Sequence, residues 1–240
     1  MASLYFDQFH TRRLQVAAPL EGTNQWLWSH PKYTAWEAER SSLLWIQGKP
    51  GSGKSVLAKA IVERLKQHTE TSREFPNSGT SQGIQVANAS HVADWFYSGR
   101  SGRTGQSHNS FIRSILYQLL EHDAEIFRFC RVFYRAGSWS LKRLRSAFKA
   151  VVQSGIPILC VVDALDESLY RQFKSPDSGD SSDGEYWHRP NHLTWLRSLI
   201  NPQNRARTKI IILSRPAADI EEAMEGVFHI VMQQANGPDI

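Results

Sequence analysis

SLLWIQGKPGSGKSVLAKAIVERL, residues 42–65, is the stretch on which the reading of the whole chain turns. Its first six residues, Ser42 to Gln47, form a short apolar run that reads as a buried strand. Val56, Leu57, Ala60, Ile61 and Leu65 then recur at three- and four-residue steps, the spacing of one helix face. Between them, Gly48 to Ser55 matches G-x-x-x-x-G-K-[ST] in full, in the strand–loop–helix context that motif requires. Glycines let successive N–H groups point into one concavity, and the following helix adds its dipole. Together they hold phosphate oxygens. Lys54 can reach β- and γ-phosphates as a point charge, and the Ser55 hydroxyl is a suitable ligand for Mg²⁺. The candidate nucleotide-binding residues are therefore Gly48, Lys49, Pro50, Gly51, Ser52, Gly53, Lys54, Ser55 and Val56. The competing reading, a glycine-rich turn that binds nothing, sits poorly with a complete motif and correct flanks.

Working outward, Ile158 to Val162 is the most apolar stretch, as expected of a parallel strand covered on both faces. It leads into Asp163-Ala164-Leu165-Asp166-Glu167. An aspartate at the carboxyl end of such a strand lies where open α/β sheets bind ligands, so Asp163 is the candidate partner of Ser55 for the metal. Hydrolysis also needs a carboxylate to orient or deprotonate water, and Asp166 and Glu167 are the candidates. Read alone, such a cluster is better taken as solvated carboxylates capping a strand end; the complete phosphate-binding loop earlier in the chain turns the reading toward function. A further strand, Lys209 to Leu213, runs into Ser214-Arg215-Pro216. Arg215 could stabilise charge on a γ-phosphate or be an ordinary loop arginine.

His91 to Tyr97 and Phe228 to Met232 complete the expected strands. Helical faces fall at Phe111 to Leu120, at Leu141 to Val152 before Gly155-Ile156-Pro157, and at Leu193 to Ile200 before Asn201-Pro202. Trp26, Trp28, Tyr33 and Trp36 suggest short helical turns. Residues 71–90, the stretch from Gly99 to Gly105 and residues 173–190 read as loops. Strands alternating with helices predict an α/β three-layer sandwich with a central, mostly parallel sheet of about five strands. Residues 1–40 are expected to be a helical lead-in packing on a core of residues 41–240.

Composition narrows the class. The chain has 240 residues, enough for one sizeable core and short for two full domains. Eight Trp, eleven Phe and seven Tyr exclude a wholly disordered chain. Mean hydropathy is -0.42, and no apolar run approaches the length of a membrane span. Two cysteines do not make a disulfide scaffold. Lys and Arg total 28 against 23 Asp and Glu. That mild excess suits an anionic ligand without calling for nucleic acid. The N-terminus lacks an apolar leader, so a cytoplasmic setting is expected. Lys142, Arg143, Arg145 and Lys149 read as a solvated basic helix face, and Cys160 as inert packing.

Taken together, these stretches resemble the NACHT branch of the STAND P-loop NTPases. The likeness is strongest to fungal NOD-like and heterokaryon-incompatibility proteins and to the nephrocystin-type N-terminal domain. It rests on GTNQWL (22–27), LLWIQGKPGSGKS, DWFYSGR with SFIRSILYQLL, VVDALDE and KIIILSRP. The small Ala164 after the metal aspartate, with acidic residues displaced to Asp166 and Glu167, is the NACHT-like mark. The resemblance implies a sensor-1 role for Arg215 and a place near adenine for Thr23 and Trp26. It implies a signalling switch that binds ATP (or GTP) with Mg²⁺ and hydrolyses it slowly, and homo-oligomers formed through NACHT–NACHT contacts. No direct nucleic-acid or membrane partner is expected. Family members continue into helical and winged-helix segments, which this chain is expected to lack. Two other readings stay open: a nucleotide-binding interaction module without turnover and, less favoured, a P-loop kinase for a small acceptor. No guanine-specificity motif is present, so GTP has no direct support.

Overall fold

The computed structural model describes residues 4–6, 11–74, 91–134, 139–169, 189–201 and 206–235. In chain order the strands are β1 (Ser42–Gln47), β2 (His91–Phe96), β3 (Pro157–Asp163), β4 (Arg207–Ser214) and β5 (Phe228–Val231). The helices are α1 (Thr11–Gln15), α2 (Pro31–Ala38), α3 (Lys54–Glu74), α4 (Gly102–Gln106), α5 (His108–His122), α6 (Phe127–Cys130), α7 (Leu141–Gln153), α8 (Arg189–Leu199), α9 (Ala218–Ala223) and α10 (Met232–Ala235).

The strands form one sheet in the order β2-β3-β4-β1-β5. Every pairing is parallel, with Gln47 opposite Ser214 and Val162 opposite Ile212. Period-two alternation sends Trp45, Trp95, Val162 and Ile212 to one face, where they meet α5, α7 and α8. It sends Ile46, Phe96, Val161 and Leu213 to the other face, against α2 and α3. This is the three-layer α/β sandwich expected from the alternating elements. β1 exits into α3 on one face, while its neighbour β4 exits into α9, whose Ile220 packs on the opposite face. Adjacent strands whose connections diverge in this way leave a crevice at their carboxyl ends, the topological switch point where open sheets take ligands.

Local chemistry explains the element ends. Ser140 caps α7 by accepting from the Arg143 amide, and Ser107 caps α5 by accepting from Asn109 and Ser110. Gly155, at φ 81°, takes the left-handed turn that stops α7 just before β3.

Four expectations need correction. Residues 71–74 are helical, because α3 runs to Glu74; the hydroxyls of Thr69 and Thr71 bond back to carbonyls four residues earlier. Residues 75–90 and 173–188 lie outside the described residues. The Gly99–Gly105 stretch is a 3-10 turn and then α4, since Gly105 packs too closely for a side chain: a Cβ there would sit 2.8 Å from the Ser98 carbonyl. Residues 189 and 190 already belong to α8. Met232 starts α10 rather than ending β5, and its side chain is buried with the α3-side core.

A fifth correction concerns the basic face of α7. Lys142 and Lys149 are exposed, but Arg145 turns inward and is 5% exposed. Position 145 adjoins the Leu144–Phe148 stripe, so its guanidinium must find buried partners. One of its nitrogens bonds His192 Nδ1 at 3.2 Å, and the group lies 4.8 Å from the Trp195 ring. A guanidinium only donates, so His192 Nδ1 accepts and its proton sits on Nε2. His192 stacks on His108 at 4.0 Å, and His108 Nδ1 meets the Tyr97 hydroxyl at 3.1 Å. Burial holds the pKa of His108 down to about 3 and that of His192 well below the usual value, so both rings stay neutral at physiological pH.

The β2 border of the sheet is finished by a side chain. Gln118 of α5 accepts from the Asp94 amide at 3.0 Å and donates to the Asp94 carbonyl at 2.7 Å. The Asp94 carboxylate is itself buried and pairs with Arg13 of α1 and Lys66 of α3.

Phe148, 1% exposed, packs against Trp195 on the α7–α8 face. Phe148→Ala should destabilise the chain by about 3–5 kcal/mol, through lost burial and the cavity left behind. Urea unfolding of the variant checks this; a loss near zero would mean the core refills the space.

Candidate functional site

After Gln47 the chain curls through Gly48–Gly53 into α3, whose first residue is Lys54. Gly51 and Gly53 take φ of 76° and 81°, the left-handed region where a Cβ is strained. The Gly48 amide donates to the Ser214 carbonyl at 3.1 Å, which ties the loop to the exit of β4. Lys49, Pro50 and Gly51 form the exposed tip, while Val56 is half-buried against the α3-side core. The Lys54 ammonium folds over its own loop. It donates to the carbonyls of Gly48 and Lys49, at 2.7 and 2.6 Å, and stands 3.3 Å from Ser52 Oγ. Partial burial lowers its pKa, Asp166 and Asp163 pull it back up, and Arg215 pushes it down. Those groups therefore share one electrostatic neighbourhood with the loop.

Asp163, the last residue of β3, is 1% exposed. Neither of its carboxylate oxygens closes a hydrogen bond of full geometry. Burial pushes its pKa up to about 6, against the lowering pull of the Ser55 hydroxyl and the Ala164 amide; Asp166 adds to the rise and Lys54 opposes it. A buried carboxylate beside a hydroxyl is an oxygen donor set of the kind hard cations take. Mg²⁺ in particular needs only one or two protein ligands, with phosphates and water supplying the rest.

Ala164 has φ 53°, in the left-handed region that an alanine enters only under constraint. That twist redirects the chain into a 3-10 turn, Leu165–Glu167. The turn brings Asp166 against the exit of β4. Asp166 Oδ1 accepts from the Arg215 amide at 2.9 Å, and Oδ2 lies 3.4 Å from Arg215 Nε. Glu167 accepts from the Gly99 amide at 2.8 Å, and its other oxygen is 3.8 Å from an Arg215 nitrogen. Arg215 itself is half-exposed.

Lys54, Ser55, Asp163, Asp166, Glu167 and Arg215 thus come together at the carboxyl ends of β1, β3 and β4. Thr23 and Trp26 make local contacts in the lead-in, Thr23 donating to the Leu20 carbonyl and Trp26 meeting the His30 ring. Sequence reading missed the Gly99 amide, Ser214 and Arg189. Ser214 Oγ accepts from Trp45 Nε1 at 2.8 Å beneath the loop. Arg189 binds the Asp166 and Ser168 carbonyls. The available signal was position: Arg189, His192, Leu193 and Leu196 share the inward stripe of α8.

The family described as nephrocystin 3, N-terminal matches the chain over residues 22–215. No curated protein matches it in sequence. Among solved structures, the crystal structure of Cdc6p from Pyrobaculum aerophilum is similar with a TM-score of 0.50 and 11% identity. The similarity covers 95% of this chain and 49% of that one, so the chain spans about half the length of that structure. What that similarity shows is the fold, here the five-stranded parallel sheet between two helical layers. Among the described residues, no helix is long and apolar enough to cross a membrane.

Proposed function

The chain belongs to the nephrocystin 3 N-terminal family, and from that premise we propose that it binds ATP, with GTP as the alternative, and hydrolyses it slowly as a Mg²⁺-dependent NACHT-type signalling switch. One observation carries the reading. A buried carboxylate, Asp163, lies beside the Ser55 hydroxyl and within the electrostatic reach of the Lys54 ammonium, at the carboxyl end of β3 next to the switch point of the sheet. In this reading the loop amides and Lys54 grip the phosphates. Asp163 and Ser55 are the residues that hold Mg²⁺, whose charge, when bound, offsets that of the phosphate oxygens. Asp166 orients water and takes its proton, and Arg215 stabilises charge on the γ-phosphate.

A second reading has its own support. Arg215 engages both Asp166 and Glu167, and the Gly99 amide holds Glu167 as well. With both carboxylates engaged, the domain would bind nucleotide without turning it over. Turnover of Asp166→Asn and Glu167→Gln, measured separately, distinguishes the two. Asp166→Asn should lower kcat about a hundredfold, the usual contribution of a positioned base, and Glu167→Gln should lower it less. If neither substitution slows phosphate release, Asp166 and Glu167 lose the base role. Tight binding with no release from the wild type selects the binding module.

A further inference from the structure

We propose that Arg189 is a positioning residue of this site, holding the turn that carries Asp166 in register with Arg215. The inference rests on the hydrolysis reading above for its effect on turnover, though not for its geometry. Arg189 is the first residue of α8 and 8% exposed. One terminal nitrogen donates to the Asp166 carbonyl at 2.8 Å and to the Ser168 carbonyl at 2.6 Å. Nε donates to the Ser168 hydroxyl at 3.0 Å, and the other terminal nitrogen bonds Asp219 of α9 at 3.3 Å.

The guanidinium therefore spans two strand exits. On one side is the turn after β3; on the other is Asp219 of α9, four residues beyond Arg215. Asp166 is held from both directions, its carbonyl by Arg189 and its carboxylate by the Arg215 amide. The result is a closed circuit: Arg189 to Asp166, Asp166 to Arg215, the chain from Arg215 to Asp219, and Asp219 back to Arg189. The turn begins at the left-handed Ala164, so its rotation is not set by backbone preference and has to be imposed by contacts. Arg189 supplies them with a planar fork serving three acceptors at fixed angles, which a lysine ammonium does not reproduce. Its bonds to this turn go to two backbone oxygens and the Ser168 hydroxyl, so it acts on the turn through Asp166.

Three substitutions test this: Arg189→Gln, Arg189→Lys and, as a control on the same helix, Arg197→Ala. Arg197 also reaches α9, through the Ala223 carbonyl, but touches nothing in the turn. Two readouts are taken on the full chain: hydrogen exchange of the amides at 165–168 and 215, and steady-state hydrolysis of Mg-ATP with a parallel measurement of ATP affinity. In both Arg189 variants, exchange at those amides should rise about tenfold and kcat fall at least about tenfold. This is the loss expected from one charge-assisted hydrogen bond, with affinity changing less than about threefold. Arg197→Ala should alter neither readout. Full rescue of both by Arg189→Lys would overturn the proposal, as would unchanged exchange at 165–168. So would a kcat that follows thermal stability alone in all three variants. If the wild type itself shows no turnover, the hydrolysis reading fails, and the exchange measurement alone decides whether Arg189 holds the turn.

Discussion

Lys54→Ala should reduce affinity for nucleoside triphosphates by about a hundredfold, the equivalent of roughly 2.7 kcal/mol, within the range of a charge-assisted hydrogen bond and its lost Coulomb attraction. The ammonium folds back onto its own loop, bonded to the Gly48 and Lys49 carbonyls. A phosphate entering there exchanges those neutral acceptors for charged ones, so the net gain is smaller than the gross interaction. Diphosphate affinity should fall less, because one of the groups the lysine reaches is missing. Titration calorimetry with ATP, GTP and ADP, with and without Mg²⁺, measures all of this. Equal affinity of wild type and variant for ATP would remove the loop from the account of binding. Melting should fall only modestly, since the Lys49 carbonyl at the exposed tip can turn to water and only the part-buried Gly48 carbonyl loses its partner.

The second large effect runs in opposite directions for stability and activity. Asp163→Asn should abolish Mg²⁺-dependent turnover while making the nucleotide-free chain more stable near neutral pH. The reason is the buried carboxylate, whose loss of hydration outweighs the pull of the Ser55 hydroxyl and the Ala164 amide and raises its pKa to about 6 in the folded chain. An ordinary carboxylate titrates near 4, so the folded state holds the proton more tightly than the unfolded one. The stabilisation from that proton is complete below about pH 4 and disappears as pH rises through about 6. At pH 7.5 the ionised group therefore works against the fold by up to about 3 kcal/mol, taking roughly two pKa units at 1.36 kcal/mol each. Asn removes that burden. Each kcal/mol should raise the melting temperature by roughly 2–4 °C in a chain of this size. The advantage over the wild type should shrink as the buffer is taken from pH 7.5 to 5. A variant less stable than the wild type at pH 7.5, or a difference that does not change with pH, would show that the carboxylate is satisfied in the folded chain. Adding Mg²⁺ to nucleotide should stabilise the wild type further than nucleotide alone and should add nothing in the variant.

Much of the architecture could be read locally. β1 occupies Ser42–Gln47, the apolar run that precedes the glycine loop, and β3 extends the Ile158–Val162 run by one residue at each end. The stop at Gly155 followed from its freedom to take a left-handed turn. These features are encoded by neighbours in the chain, through periodicity and backbone preference. Strand order is not. Nothing local places β1 between β4 and β5, because that arrangement depends on which helices cover which face. Residues judged by type and not by position were misread. Arg145 belonged to a cationic cluster by composition, yet its angular position on α7 points it at His192. Arg189 lay at the edge of a polar stretch and carried no motif, although it binds two backbone carbonyls of the turn that carries Asp166. The candidate phosphate and metal groups were legible because their chemistry requires particular side chains at fixed spacings. The groups that orient them can come from anywhere in the chain with the right reach.

The amide of Gln118 occupies both outward-facing backbone groups of Asp94, much as the rung of an adjoining strand would. Sheet margins usually leave such groups available for a foreign strand to zip onto. Here an incoming polypeptide would have to evict a side chain that already satisfies donor and acceptor together, midway along the margin, so lateral polymerisation from that side is obstructed. Extension of the sheet through its β2 border would therefore have to displace Gln118 first.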